Sequence, residues 1–138
     1  YALVPKKLRE AGGPTITMTE LTEMPLLLLN SATVLRAVVD NTAKQLGLEL
    51  KTRYQFNQAQ TLISMANAGL GAAVLPAVVL PDHPNPDTHE MLIVEPELIR
   101  KVAIITLKGR SMSPAASRLA QLVRLLITAP HSNDRQRK

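Results

Sequence analysis

Residues 62–76 constrain the fold more than any other part of the chain. Apolar side chains recur there at helical spacing up to Gly69, and a short apolar run that ends at a proline follows at once. Gly69 lies where a helix needs a left-handed C-terminal residue, and Leu70 is the apolar residue that commonly folds back on the last turn. The run of residues 72–75 is too short for a helix and too apolar for an exposed segment, so it predicts a buried strand. The pattern predicts a helix that leads into an interior strand of an α/β sheet.

The two glycines of this stretch also suggest a dinucleotide-binding loop, but the order of the elements argues against it. Val74 occupies the position of the third glycine in a G-x-G-x-x-G pattern. A phosphate loop runs from a strand into a helix N-terminus, whose N–H groups face the anion. Here a helix C-terminus precedes the glycines and presents carbonyl groups instead. We therefore interpret Gly69 and Gly71 as structural residues and predict no cofactor.

Other segments carry the signals of further strands and a short helix. Residues 17–20 have the spacing of a capping box and predict a helix over 18–23. Residues 26–29 predict a strand buried on both faces. Residues 49–56 alternate as a strand with one exposed face would, with Leu50, Thr52, Tyr54 and Phe56 on one side. The remaining predicted strands are 1–4, 91–94 and 102–107.

Three longer helices have caps and apolar stripes. The first follows residues 30–33, ends at Gly47 and carries Arg36, Asp40 and Lys44 at i, i+4 spacing, which predicts a solvated ladder of ion pairs. Its buried stripe is predicted to be Leu35, Val38, Val39, Thr42 and Leu46. The second is predicted to be capped by Asn57 and to end at Gly69. The last is capped by Ser113, and its predicted buried stripe is Ala115, Leu119, Leu122, Val123 and Leu126.

The order strand, helix, strand, helix, strand favours an α/β fold. The connections are short enough to predict right-handed crossovers and parallel pairing. The predicted strand at 102–107 separates the final helix from these α/β elements, so we expect that helix to belong to a different structural unit.

Catalytic and metal chemistry have little support. His83, Asp87, His89 and Glu90 could ligate a metal, but the loop at 81–87 is rich in proline and the set matches no established ligand spacing. We predict a solvated surface loop there and no metal site. No G-x-S-x-G elbow is present, and no histidine stands in a motif that would nominate a catalytic triad. We therefore predict no catalytic residues and no enzymatic activity.

Composition narrows the choice of partner. The chain has no cysteine, which suits a reducing compartment, and only 2% aromatic residues, which disfavours stacking on nucleic-acid bases. The net charge of +5 is concentrated near the two ends, so the body is nearly neutral and no helix carries a cluster of bases expected of a DNA-binding surface. The longest apolar run is far shorter than a membrane span. We expect a cytoplasmic protein without membrane contact.

Polar side chains follow two of the predicted strands. Asn30, Ser31 and Thr33 come after the first, at the start of a helix, and Asn57 and Gln58 come after the second. Ligands of open α/β sheets bind outside the carboxyl ends of the strands, and a helix N-terminus favours an anionic molecule. Ser31 and Asn57 could instead act only as helix caps. Because two such turns share one predicted edge, we favour a binding site.

Five motifs in order resemble the effector-binding domain of LysR-type transcriptional regulators, most closely the nitrogen assimilation control branch. The likeness covers residues 1–127. The motifs are TMTEL at 17–21, PLLLL at 25–29, LR at 35–36 with Gly47, AGLG at 68–71 with LP at 75–76, and GRSMSPA at 109–115.

The resemblance implies a domain of periplasmic-binding-protein type II, in which two α/β subdomains are joined by two crossing strands. The implied fold is a three-layer αβα subdomain with a mixed, mostly parallel sheet, together with part of a second subdomain. Residues 1–13 would form a strand and connector near the first hinge, 14–98 the second subdomain, 99–128 a crossing strand and a helix of the first subdomain, and 129–138 a disordered tail. The family's winged helix, which reads DNA, would lie in missing upstream sequence.

The resemblance also implies a small-molecule inducer in the cleft between the subdomains, bound by the loop after the first strand and by the start of its helix. That loop corresponds to residues 30–35, which adds Ala32 and Val34 to the candidates. The implied partners are this effector, anionic if the helix N-terminus receives it, and further copies in a homodimer or homotetramer; DNA would be bound only through the missing domain. A periplasmic-type solute-binding protein or a small-molecule-binding α/β enzyme is the alternative.

Overall fold

In a computed structural model, residues 1–128 of the chain are described. Contacts between Cα atoms divide the chain into one compact unit, Tyr1–Arg100, and a second that begins at Lys101. The disordered tail predicted at 129–138 lies outside the described residues. The elements in chain order are β1 (Ala2–Pro5), β2 (Thr15–Thr17), α1 (Met18–Thr22), β3 (Leu26–Leu29), α2 (Val34–Gln45), β4 (Thr52–Phe56), α3 (Ala59–Asn67), β5 (Ala72–Val74), the 3₁₀ turn η1 (Ala77–Val79), β6 (Thr88–Val94) and α4 (Pro114–Thr128).

The first unit is built on a six-stranded mixed sheet of order β2-β6-β1-β5-β3-β4. β1 runs antiparallel to both of its neighbours, whereas the pairs β2·β6, β3·β5 and β3·β4 are parallel. The α2 and α3 crossovers connect parallel strands, as the order of elements predicts. The mixed, mostly parallel α/β fold is confirmed.

Two apolar clusters cover the two faces of this sheet. One contains Leu26 and Leu28 of β3 together with Val39 of α2. The other contains Leu27 of β3 together with Leu62 of α3. Since alternate residues of a strand point to opposite faces, the run of four leucines fills both clusters. The sheet therefore lies between helices on either side, in three layers.

The joint between α3 and β5 has the geometry that its glycines predict. Gly69 has φ of +78°, its N–H donates to the Ala66 carbonyl at 2.7 Å, and the Leu70 N–H donates to the Met65 carbonyl at 3.1 Å. These two bonds form a Schellman cap. A Cβ at Gly71 would collide with the carbonyl oxygen of Pro25, so the close approach of the two chain segments requires glycine there.

Two details of α2 and β4 differ from the predicted patterns. Leu46 is 44% exposed, and Ala43 is buried in its place, because α2 ends at Gln45 and Leu46 has left the packed face. In β4 the register shifts, so that Thr52 pairs with Leu26 but Tyr54 with Leu27. Because of this irregularity Leu50 and Phe56 do not share a face: they pack against opposite clusters.

The capping box at the start of α1 is confirmed. The Glu20 N–H donates to Thr17 Oγ1 at 3.2 Å, and the Thr17 N–H donates to Glu20 Oε2 at 2.8 Å. The N–H and the hydroxyl of Thr17 both donate to Glu20 Oε2, and these two bonds, helped by the Arg9 guanidinium, lower the pKa of the Glu20 carboxyl. β2, which ends at this cap, was not predicted because three residues are too few to show a period.

The second unit departs from two predictions. Residues 102–107 form no strand in the described part of the chain, since a strand exists only where a neighbour completes its hydrogen bonds. α4 begins at the Ser113 cap as predicted, with the Ala116 N–H donating to Ser113 Oγ at 3.2 Å. Its predicted buried stripe is wrong, because Ala115 and three of its leucines are exposed, namely Leu119, Leu122 and Leu126. α4 is the only regular element described in this unit, so no second element of the unit covers it.

Candidate functional site

The structure brings the two polar turns together at the carboxyl ends of β3 and β4. Asn30 Nδ2 donates a hydrogen bond to Asn57 Oδ1 at 2.7 Å, across 27 residues of sequence. The backbone N–H of Asn30 also donates to the Phe56 carbonyl at 2.9 Å, which extends the parallel pairing by one residue. We call this part of the molecule the polar edge; its members are Asn30, Ser31, Ala32, Thr33, Val34, Asn57 and Gln58.

The first turn of the polar edge is closed by its own hydrogen bonds. Asn30 Oδ1 accepts from the Ala32 N–H at 3.2 Å, and the Asn30 carbonyl accepts from Thr33 Oγ1 at 3.0 Å. Thr33 Oγ1 in turn accepts from the Arg36 N–H at 3.3 Å and so caps α2. Ser31 therefore does not serve as the cap, and both Ser31 and Ala32 are exposed.

The second turn leaves its helix without a side-chain cap. The predicted cap at Asn57 is wrong: the N-cap of α3 is Gln58, which makes no side-chain cap hydrogen bond. The Asn57 side chain bonds Asn30 instead, because the register of β3 and β4 sets those two residues side by side. The first amide groups of α3 stay uncapped at the polar edge, and Gln58 is exposed beside them.

The polar edge presents several hydrogen-bond donors. The Asn30–Asn57 bond uses one hydrogen of Asn30 Nδ2 and leaves both hydrogens of Asn57 Nδ2 outside it. The uncapped amides of α3 add donors and the positive end of its helix dipole. Val34, the first residue of α2, is 65% exposed and adds an apolar group to the polar edge. The edge can therefore receive a molecule that has oxygen acceptors and some apolar surface.

Arg36 is a residue of this region that the sequence analysis assigned to the solvated outer face of α2. That prediction is wrong, since the Arg36 side chain is only 11% exposed. Its Nε donates to Asp40 Oδ1 at 2.8 Å, as the i, i+4 spacing predicts, and its Nη1 donates to the Leu29 carbonyl at 3.2 Å. The spacing revealed the ion pair, but no sequence signal revealed the second contact.

A third strand also ends at this side of the sheet. β5 runs parallel to β3, and it leads into η1, where Val78 is 75% exposed. The sequence analysis predicted the end of the strand at Pro76 but not the turn after it. Since β5 is the neighbour of β3, η1 is a further candidate for contact with a ligand of the polar edge.

The cluster of possible metal ligands separates in the structure. His83 and Asp87 lie in the exposed loop, as predicted, but His89 and Glu90 lie in β6 and are half-buried, because the strand begins three residues earlier than predicted. His89 Nε2 and Glu90 Oε1 are buried without a hydrogen-bond partner among the described residues. Burial raises the pKa of the Glu90 carboxyl. Within residues 1–128, no three His, Asp or Glu side chains are grouped as a ligand set.

A cavity of about 380 Å³ lies at the other end of the sheet, between the end of β1 and the start of β6. Lys7 Nζ donates there to the Ala68 carbonyl at 3.3 Å. A lysine at a helix C-terminus satisfies a carbonyl that the helix leaves unpaired, so we interpret Lys7 as a structural cap of α3. The helices described in residues 1–128 include none with the length and apolarity to span a bilayer.

Comparison with known proteins matches the chain to a family of transcriptional regulators. The family model described as "LysR substrate binding domain" matches residues 1–126. Among curated proteins, the transcriptional dual regulator GltC of Bacillus subtilis (strain 168) is 27% identical over 123 residues, which is 89% of this chain and 41% of that protein.

Two solved structures of similar fold carry small molecules. The CcmR regulatory domain of Synechocystis PCC6803, in complex with 2-PG, is 15% identical with a TM-score of 0.74, over 93% of this chain and 62% of that one. The effector-binding domain of QuiR, in complex with shikimate, is 16% identical with a TM-score of 0.72, over 87% of this chain and 56% of that one. At these identities the likeness shows the fold alone.

Proposed function

The chain belongs to the LysR substrate-binding domain family, and from that premise we propose that its polar edge binds the small-molecule effector of a LysR-type transcriptional regulator. The chain is part of the effector-binding domain of such a regulator, and the members of this family are transcription factors and not enzymes. The family therefore decides against the alternative of a solute-binding protein or an enzyme. Domains of similar fold bind 2-PG and shikimate.

One observation carries the choice of site: the 2.7 Å hydrogen bond between Asn30 and Asn57. It ties the ends of two adjacent parallel strands, and ligands of open α/β sheets bind outside such strand ends. Neither asparagine is consumed as a helix cap, since Thr33 and Gln58 occupy the two N-cap positions. The Nδ2 group of Asn57 and the second hydrogen of Asn30 Nδ2 are therefore available to a ligand.

The chemistry of the polar edge favours an effector rich in oxygen acceptors. The amide hydrogens of Asn57, the hydroxyl of Ser31 and the uncapped amides of α3 are all donors. The positive end of the α3 dipole adds to the attraction for an anion. We propose a carboxylate or a phosphate, and the shikimate bound by QuiR is a carboxylate. Val34 would contact the apolar part of the molecule.

Further proposals concern the protein as a whole, because the chain spans about two fifths of the length of the curated relatives it matches first. We propose that effector binding alters DNA binding by a part of the protein outside this chain, in a cytoplasmic homodimer or homotetramer. The order of the sequence motifs supports placement in the nitrogen assimilation control branch. The same resemblance supports 14–98 as the effector-binding subdomain, 1–13 as a strand and connector near the first hinge, and 99–128 as part of the first subdomain.

The test measures the affinity of the intact protein for an effector panel of shikimate, 2-PG, benzoate, tartrate, inorganic phosphate and the neutral benzamide by titration calorimetry. We expect an anionic member to bind and benzamide not to bind. Asn30→Ala and Asn57→Ala should each weaken that binding roughly tenfold, the cost of one hydrogen bond to a charged group. The double variant should lose less than the product of the two effects, because the residues are bonded to each other.

Asn41→Ala is the matched control. Asn41 is exposed on α2, away from the polar edge, and undergoes the same chemical change. Its substitution should leave the affinity unchanged. An affinity in the Asn30→Ala, Asn57→Ala double variant equal to that of the unsubstituted protein would exclude the polar edge as the effector site.

A further inference from the structure

We propose that Arg36, held by Asp40, is the positioning residue of the polar edge, which it fixes by bonding the carbonyl of the last residue of β3. The inference rests on the proposed function of the polar edge, because it assigns the residue that sets the geometry of that site. Arg36 does not itself belong to the polar edge, and its role is exerted through Leu29 and the turn that follows.

The Leu29 carbonyl lies where β3 loses its partner on one side. β5 pairs with Leu26 and Leu27 but extends no farther along β3, whereas β4 pairs as far as Leu29. A carbonyl at the end of a strand needs another donor. Arg36 Nη1 supplies it at 3.2 Å, from seven residues farther along the chain.

Asp40 restricts the guanidinium to the position from which it can reach that carbonyl. Arg36 Nε donates to Asp40 Oδ1 at 2.8 Å, one turn along α2. The Arg36 side chain is 11% exposed, against 43% for Asp40. An exposed i, i+4 ion pair contributes little to stability, but this one involves a mostly covered arginine that is bonded at two of its nitrogens. The planar guanidinium makes both bonds from a single orientation.

Arg36 also closes the first turn from the other end. Its backbone N–H donates to Thr33 Oγ1, and Thr33 Oγ1 donates to the Asn30 carbonyl. The side chain and backbone of one residue thus hold both the start of the turn, at Leu29, and its end, at Thr33. Asn30 lies between these two points, and its amide must be held in place to bond Asn57 and a ligand.

The first experiment follows amide hydrogen exchange in the intact protein and needs no effector. Arg36→Ala should speed exchange roughly tenfold or more at Asn30, Ala32 and Thr33, whose N–H groups are bonded within the turn or to β4. Exchange at Leu27 in the center of the sheet should stay unchanged. Lys44→Ala, which removes the same charge from the exposed end of α2, should alter none of these rates.

The second experiment measures affinity for the member of the effector panel that the unsubstituted protein binds most tightly. Arg36→Ala should weaken that binding roughly tenfold, at a temperature well below the melting point of the variant. Arg36→Lys should restore part of the loss, since one ammonium can bond Leu29 or Asp40 but not both in this geometry. Asp40→Ala should weaken binding in the natural protein and have no effect in the Arg36→Ala background, because it acts through Arg36.

A purely structural role for Arg36 predicts other results. In that case Arg36→Ala would lower the melting temperature and would speed exchange at Leu27 as much as at Thr33. The affinity for the effector would be unchanged at temperatures below the unfolding transition. That outcome overturns the inference. If no panel member binds while exchange changes only in the turn, the proposed function fails and the positioning of the turn stands. If a panel member binds and Asn30→Ala weakens it but Arg36→Ala does not, the positioning inference alone fails.

Discussion

At the scale of single residues, the position of Glu90 in a strand determines the free-energy cost of ionising its carboxyl group. The residue pairs with Leu3 across β6 and β1, and its Oε1 is buried without a partner among the described residues. Burial raises the pKa of the carboxyl because it disfavours the ionised form. The folded state therefore holds this proton more tightly than the unfolded state. The contribution of Glu90 to stability is fully present below the ordinary pKa of a glutamate, and it is lost as the pH rises through the raised pKa of the folded state.

Glu90→Gln keeps the shape of the side chain and removes its charge. We expect the variant to melt about 2–4 °C higher than the natural protein at pH 7, and the two curves to converge below about pH 4, where Glu90 is protonated. Thermal unfolding followed by circular dichroism across pH 3–8 measures the difference. Glu49→Gln, an exposed carboxylate between α2 and β4, is the control and should change little. A constant difference at every pH would show that charge is not the cause.

Residue identity alone left the helix caps ambiguous. Ser31, Thr33, Asn57 and Gln58 all stand near predicted helix starts, and the sequence favoured Asn57 as one cap. Thr33 and Gln58 occupy the cap positions, and Asn57 bonds Asn30. An asparagine bonds whichever partner the fold brings closest, so its role follows from the neighbouring strand and not from its own position in the sequence.

At the scale of elements, the α3–β5 joint was predictable because its signals are local. Gly69 supplies the left-handed backbone of the Schellman cap, and Gly71 allows β5 to pass against the Pro25 carbonyl. Helical spacing, a glycine and a short apolar run lie within 15 residues of one another. By contrast, the predicted strand at 102–107 depended on a partner that its own sequence cannot specify.

Two glycines of the first unit with different surroundings, Gly71 and Gly13, give a test at this scale. Gly71→Ala places a methyl group against the Pro25 carbonyl, so we expect a loss of about 2–4 kcal/mol in the free energy of unfolding. Gly13→Ala meets only the end of the Met91 side chain at 3.9 Å, and we expect it to be neutral or stabilising by up to about 1 kcal/mol. Urea denaturation measures both. Equal effects would show that the close approach at Gly71 is absent.

At the scale of the whole molecule, the sheet of the first unit separates two apolar clusters, and we expect them to contribute to stability independently. Leu62 of α3 lies in one cluster with Leu27, and Val39 of α2 lies in the other. Leu62→Ala should cost about 2–5 kcal/mol, and Val39→Ala about 1–3 kcal/mol. The two losses should add to within about 0.5 kcal/mol, because the sheet lies between them.

The paired comparison uses residues of the same cluster. Leu62→Ala and Leu27→Ala share one cavity region, so their combined effect in urea denaturation should deviate from the sum by about 0.5–3 kcal/mol. If the deviation is as large for Leu62 with Val39 as for Leu62 with Leu27, the two clusters form a single core and the layered arrangement does not govern stability.

The sequence by itself determined most helices and strands of the first unit, the glycine joint and the α/β class, because periodicity, caps and glycine requirements act within one or two turns of chain. Its motifs also carried the resemblance to the LysR family. Only the tertiary structure decided that Asn30 meets Asn57, that Arg36 covers the Leu29 carbonyl, and that residues 102–107 form no strand. These outcomes depend on strand register and on partners distant in sequence, about which a local pattern carries no information.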